Sequence, residues 1–207
     1  MDANEIIEKL KVMFPNARCE LNYKTPFQLA CSVMLSAQTT DARVNIVTVE
    51  LFNKYPDVEH MKDAKLRDIE KIIKSIGLYH NKANNLIKMA NEVSERHNGI
   101  LPSNRKDLEN LSGIGRKSAN VILSECFKIP NIAVDTHVNR IAKRLKLAKI
   151  DDSVLVVEKK LKRKIKREDW IAAHHLIIFF GRYKCYAKKP ECATCPFKTI
   201  CREYNKK

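Results

Sequence analysis

Glycine is scarce in this chain, five residues in 207, and proline contributes only seven. So thin a supply of turn formers excludes collagen-like and low-complexity sequences. It also disfavours a barrel or sandwich built on many tight turns. Long apolar runs are missing too. The longest uncharged apolar block, Ile171 to Phe180, is ten residues interrupted by His174 and His175, well short of the ~20 that cross a bilayer. The N-terminus, Met1-Asp2-Ala3-Asn4-Glu5, carries acid where a secretory signal carries base. These absences predict a soluble, intracellular, cytoplasmic protein with no membrane partner. Acidic residues are in deficit as well, 24 against 39 Lys and Arg, for a formal charge of +15 and a pI near 9.5. That excess says nothing about fold but favours a polyanionic partner, nucleic acid before any other. A lysine-rich genome is the bland alternative. Apolar residues, at 44%, suffice for a sizeable core, and the length fits one large domain or two small ones.

What is present is helical periodicity. Thr25-Pro26-Phe27-Gln28 reads as an N-cap, a proline at the first helical position and a capping-box glutamine, opening a helix through Leu35. Val44, Val47 and Leu51 share one face before Pro56. Asp63 is expected to cap a helix carrying Leu66, Ile69, Ile73 and Ile76, stopped by Gly77. Ala83, Leu86, Ala90 and Val93 mark the next, closed by Gly99, and Ser103 caps another through Leu111. Further helices run from Arg116 to Phe127, along Val138, Ile141, Ala142 and Leu145, and along Val154, Val157, Leu161 and Ile165. On that last segment Lys159, Lys160, Lys162, Arg163, Lys164, Lys166 and Arg167 fill seven of nine positions, by default a solvated face. Ile171 to Phe180 is apolar nearly all round and so reads as buried. No period-2 alternation flanked by hairpin turns competes, and the fold class is all-α. Ile129-Pro130-Asn131 is the best internal boundary.

Two of the five glycines stand one residue apart in Leu111-Ser112-Gly113-Ile114-Gly115-Arg116-Lys117-Ser118-Ala119-Asn120-Val121, between two amphipathic helices. Glycine at both positions allows positive φ and close approach to a partner. The N–H groups at the start of the following helix form an anion site. In a basic chain this reads as a phosphate-gripping helix–hairpin–helix. It is not a nucleotide P-loop, because Arg116 precedes Lys117 where that motif needs glycine. An ordinary helix–helix turn is the plainer alternative.

Cysteine is concentrated at the other end. Cys19, Cys31 and Cys126 are scattered and read as small hydrophobes, whereas Cys185, Cys192, Cys195 and Cys201 fall within 17 residues. In a reducing compartment such a cluster points to metal rather than to disulfides. Four thiolates can hold zinc or an iron–sulfur cluster. Only Cys192 and Cys195 form a short knuckle, so the spacing leans to iron–sulfur.

The glycine hairpin, the segment Ala133-Val134-Asp135-Thr136-His137-Val138 and the 6-2-5 cysteine spacing together resemble the helix–hairpin–helix base-excision DNA glycosylases. The resemblance runs from about residue 20 to residue 201. Within them the chain is similar to the bifunctional branch that removes oxidised pyrimidines and then cleaves the abasic site. That resemblance implies Lys117 as the nucleophile of a Schiff base, since the start of a helix beside Arg116 favours the free amine. It implies Asp135 as the group that stabilises positive charge on the sugar or moves protons there. Alone, Lys117 is one more solvated lysine, Asp135 a helix cap, and His137 a packing group. The resemblance further implies a 4Fe–4S cluster on Cys185, Cys192, Cys195 and Cys201. It implies DNA contacts at Gly113 and Gly115, a gap-filling Gln38 and a wedge at Leu78. Lys188 and Lys189 interleave with the cysteines and can face phosphates. The implied partner is double-stranded DNA containing oxidised pyrimidines or abasic sites, bound by a monomer associated with the nucleoid. The implied architecture has two lobes: a six-helix domain over residues 20–129, with the hairpin at about 103–127, and a cluster-bearing domain of residues 1–19 plus 130–207, with its loop at 185–201.

The chain departs from the family pattern in three places. Ser112 replaces a frequent proline and is expected to loosen the hairpin slightly. Ser118 replaces threonine, and Phe180 stands where histidine is common. One rival is a monofunctional mismatch glycosylase, against which Lys117 argues. The other is a non-catalytic iron–sulfur DNA-binding module, which predicts binding without strand cleavage.

Overall fold

The computed structural model describes residues 1–206 as helices joined by short loops, with no strand among them. The all-α expectation holds. The chain divides into two compact units, one formed by Glu20–Phe127 and the other by Met1–Cys19 together with the chain from Lys128 onward.

The continuous unit holds α2 (Pro26–Leu35), α3 (Asp41–Lys54), α4 (Val58–Lys62), α5 (Leu66–Ile73), α6 (Tyr79–His97), α7 (Arg105–Glu109) and α8 (Arg116–Phe127). Their apolar stripes meet in one core that includes Leu35, Leu51, Ile69, Leu86, Leu108 and Ile122. Burying each such side chain contributes roughly 1.5–3 kcal/mol. Thr25 caps α2 as expected, its hydroxyl accepting from Gln28 N. The reciprocal half of the capping box does not form. Gln28 is 5% exposed, and its Oε1 accepts from Lys24 N at 2.9 Å while its amide donates to Pro56 O at 2.9 Å. Burial has turned this glutamine into a bridge between the two ends of α2–α3. Two other caps are displaced. Asp63 ends α4, which Asp57 caps, and α5 starts at Lys65 with no side-chain cap. Asn104, not Ser103, caps α7 through Asp107 N.

The discontinuous unit holds α1 (Ala3–Met13), α9 (Thr136–Arg144), α10 (Val154–Lys164) and α11 (Trp170–Tyr183). Helix α1 lies against α11, and α9 lies between α10 and α11. Ile6, Ile7, Leu10, Ile141, Leu161, Ile177, Phe180 and Phe197 are in its core. The apolar α11 is buried over most of its length, His174 and His175 included. The bases of α10 are largely committed within the unit. Lys160 holds Asp152 at 2.6 Å, Lys162 bonds to Glu158 and Asn131, and Lys164 donates to Leu147 O.

Candidate active site

In the continuous unit, Gly113 is the hairpin glycine that requires its residue type. Its φ is +79°, and a Cβ there would lie 2.9 Å from Sδ and Cε of buried Met34 on α2. Gly115 differs from expectation: its φ is not positive, and a Cβ there would meet nothing within 4 Å. Its value is open space in front of α8. Gly115 O accepts from Ala119 N at 2.9 Å, which starts the α8 ladder. A glycine in that place has no side-chain oxygen to occupy the first-turn N–H groups. Arg116 and Lys117 follow, both exposed. The helix start therefore presents backbone donors and an accessible primary amine side by side.

Ser112 tightens the hairpin instead of loosening it. Its backbone N–H and its hydroxyl donate to the two carboxylate oxygens of Glu92 on α6, at 2.7 and 2.8 Å. A proline has no N–H to give, so this tie depends on the departure from the family pattern.

Gln38 and Leu78 also belong to this unit and lie on neighbouring turns. Both are exposed, Leu78 to 59%. Both hold left-handed backbone, φ 56° at Gln38 and φ 59° at Leu78. For a branched residue such as leucine that conformation costs roughly 1–2 kcal/mol. An ideal Cβ on Gly77 would lie 3.9 Å from Gln38 O, so the two turns are close neighbours. The hairpin approaches the same region, resting on Met34 four residues before Gln38.

Asp135 lies in the discontinuous unit at the N-cap of α9. Its Oδ1 accepts from Val138 N at 2.7 Å, while Oδ2 takes no hydrogen bond among the described residues. The cap reading is thus correct for one oxygen and leaves the other without a hydrogen-bond partner among the described residues. His137 is a packing group: its Nδ1 is 3.2 Å from Arg140 Nη2. A Cβ on Gly181 would sit 3.0 Å from the His137 Cβ.

The four clustered cysteines line one small cavity, walled by Phe180 and Leu145. They do not converge on a point: no three His, Cys, Asp or Glu side chains among the described residues meet at the spacing of a single ion. Burial pushes the Cys185 thiol up, an effect that Arg144 opposes and the Cys201 and Cys195 thiols reinforce. Burial likewise raises Cys195. Phe180, in place of the family's histidine, is fully buried and meets the Phe197 ring edge to face at 5.3 Å.

Arg144 was not singled out by its position in the sequence. The residue is 9% exposed, and its guanidinium donates to Cys185 Sγ at 3.3 Å, Tyr186 O at 2.7 Å and Ala187 O at 3.1 Å. The one sequence signal that could have found it is an arginine three residues after Ile141 and beside Leu145, next to a buried stripe. By contrast Lys188 and Lys189 are exposed, and neither makes an ion pair among the described residues.

A model of the HhH-GPD superfamily of base excision DNA repair proteins matches residues 31–167. This chain belongs to that superfamily. It is similar to endonuclease III of Bacillus subtilis (strain 168), 50% identical over 201 residues that cover 97% of this chain and 92% of that relative. The solved structure of a non-covalent endonuclease III–DNA complex matches with a TM-score of 0.95 at 48% identity, over 98% of this chain and 94% of that one. A trapped endonuclease III–DNA covalent intermediate, an estranged-adenine complex, matches at 0.94 and 48% identity, over 97% and 94%.

Proposed function

We infer that this chain is a bifunctional DNA glycosylase and abasic-site lyase of base-excision repair, taking oxidised pyrimidines from double-stranded DNA as a monomer in the cytoplasm. The observation that carries the lyase half is Lys117, an exposed amine in the first turn of α8, immediately behind the glycine hairpin. Its likeness to a relative trapped as a covalent DNA intermediate supports the same reading. As the free amine, Lys117 Nζ bonds to C1′ of the target sugar while the bond from C1′ to the base breaks. The base leaves with the bonding electron pair. One of the two protons on that nitrogen passes to the ring oxygen as the C1′–O4′ bond breaks, leaving a protonated imine between Lys117 and C1′, while the departed base takes its proton from water. Loss of a proton from C2′ then expels the phosphate on the 3′ side, and water releases the lysine. The role proposed for Asp135 is negative charge for the positive sugar, through the oxygen its helix does not use. Gln38 fills the space of the extruded nucleotide and Leu78 wedges the stack. The decisive experiment is borohydride reduction of the purified protein on a duplex with an oxidised pyrimidine. A covalent adduct is expected, and DNA binding without adduct or cleavage would favour the non-catalytic module.

We assign a 4Fe–4S cluster to Cys185, Cys192, Cys195 and Cys201. A single zinc holds each sulfur at ~2.3 Å from one centre, whereas these four thiols line one cavity without meeting at that spacing, which favours a larger group. The Arg144 donor on Cys185 Sγ suits a thiolate ligand. When bound, the group braces the loop that presents Lys188 and Lys189. The protein as isolated should be yellow-brown, with about four iron and four sulfide per chain. Cys192→Ser should reduce solubility or DNA affinity before it reduces chemistry. A colourless protein with one zinc would overturn this assignment and leave the enzymatic reading intact.

The free and the committed bases make separate predictions for DNA affinity. Each phosphate contact contributes about 0.9 to the slope of log affinity against log salt. Replacing Lys188 and Lys189 by alanine should flatten that slope by up to about two units. Replacing Lys160 and Lys164 should leave it nearly unchanged, because those ammoniums are held by Asp152 and Leu147 O. Gly113→Ala should weaken binding with little change in slope, through its positive φ and the Met34 contact. Affinity for one lesion duplex at several salt concentrations measures all three, and equal slope losses at both lysine pairs would misplace the footprint.

A further inference from the structure

We propose that Lys82 is a positioning residue that locks the Gln38 turn and the Leu78 turn to one another, an assignment that rests on reading those turns as the strand-opening elements.

Lys82 lies one turn into α6, and only 5% of it is exposed. Its ammonium donates to Leu35 O at 2.9 Å, Ala37 O at 2.6 Å and Thr39 Oγ1 at 3.4 Å. Three donors meet three neutral oxygens, which saturates the group without any carboxylate. Burial pushes its pKa down, so the site holds an ammonium at a cost that a simple core position would avoid by using leucine or methionine. Part of the compensation is local: Leu35 is the last residue of α2, where a cation meets the negative end of the helix dipole.

Capping α2 does not account for the other two contacts. Ala37 O and Thr39 Oγ1 lie on either side of Gln38, so one ammonium brackets the residue assigned to fill the gap. The backbone N–H of the same lysine donates to Leu78 O at 3.1 Å, and a Cβ on Gly77 would lie 3.9 Å from Gln38 O. Both tips are non-glycine residues in left-handed backbone, a state that persists only where the surroundings over-determine it. The Lys82 side chain bonds to residues on both sides of Gln38 while its backbone N–H holds Leu78 O. It touches no reacting atom, so its effect falls on the step that opens the duplex.

The test compares two substrates in single-turnover reactions: a duplex with an oxidised pyrimidine, and an abasic single strand with no stack to open. Rates are normalised to enzyme trappable by borohydride on the abasic strand, which excludes misfolded protein. In Lys82→Met the ratio of duplex excision to single-strand cleavage should fall about tenfold or more, with Lys82→Gln between it and the wild type. Adding Lys82→Met to Gln38→Ala should lower the ratio little further, because both act on one turn. A wild-type ratio in Lys82→Met beside a lowered ratio in Gln38→Ala overturns the role of Lys82 and spares the loops. Wild-type ratios in both Gln38→Ala and Leu78→Ala overturn the loop reading itself. Equal losses on the two substrates, full additivity with Gln38→Ala, or failure of both Lys82 variants to fold would make Lys82 a structural lysine and overturn the proposal.

Discussion

Lys117→Gln is expected to abolish the borohydride-trapped adduct and to slow strand cleavage by on the order of 10³-fold or more, the usual scale for removing a nucleophile. Glutamine suits the test because it keeps length and polarity and has a helix propensity close to lysine. Lys117 is exposed and lies two positions into α8, so no core contact is lost and the melting temperature should not move. One positive charge disappears, so the salt slope of DNA binding should fall by at most about 0.9. A large loss of affinity would show that Lys117 holds phosphate instead of attacking sugar. A Lys117→Gln protein that is still trapped at the wild-type rate would require another amine, and the whole assignment would have to move with it.

The parts of the molecule that could be read from residues alone are those whose determinants lie close together in the chain. The stripe of Val138, Ile141, Ala142 and Leu145 announces α9 because four apolar positions at helical spacing leave one way to bury them. The glycine hairpin and the four cysteines are local motifs, and their chemistry travels with their spacing. Helix α4 escaped notice because five residues are too few to show a period. Its C-terminal Asp63 then passed for the cap of the next helix, since aspartate suits either role. Gln28 was misread for a related reason: the pattern of a capping box is local, but the contact that redirected its side chain, Pro56 O, lies 28 residues away.

Distance along the chain also hid the two most consequential buried cations. Arg144 finds Cys185 across 41 residues, and Lys82 finds Leu35 across 47. Both bind mainly backbone carbonyls, which every residue carries, so no complementary residue type marks the partner. The basic composition concealed them further, because one buried lysine among many solvated ones does not stand out. Conversely, the basic run on α10 reads by default as a solvated face, and two of its lysines are held within the unit, Lys160 on Asp152 and Lys162 on Glu158 and Asn131. Ser112 carries the same lesson in the opposite direction. Its loss of a proline's rigidity is evident from the residue type, whereas the compensating Glu92 carboxylate is supplied by a helix 20 residues upstream.

Asp135→Asn separates the helix cap that the geometry shows from the charge-stabilising role proposed for the same carboxylate. As an N-cap, Asp135 accepts from Val138 N through Oδ1, and asparagine caps a helix about as well as aspartate. The amide substitution therefore keeps α9 in place and removes the charge, apart from a few tenths of a kcal/mol of dipole interaction. Excision should slow by about 10²-fold or more, the scale for losing charge stabilisation or assisted proton transfer, with the melting temperature nearly unchanged. Asp135→Ala loses the cap as well, worth ~1 kcal/mol, and should lower the melting temperature by roughly 2–4 °C. Because α9 ends at Arg144, which holds the cysteine loop, the alanine variant should also lose iron faster under chelation than the asparagine variant. Thermal melts, single-turnover excision and iron release on the two proteins decide between the roles. Wild-type excision by Asp135→Asn would reduce Asp135 to a helix cap, and an equal melting loss in both variants would contradict the cap geometry.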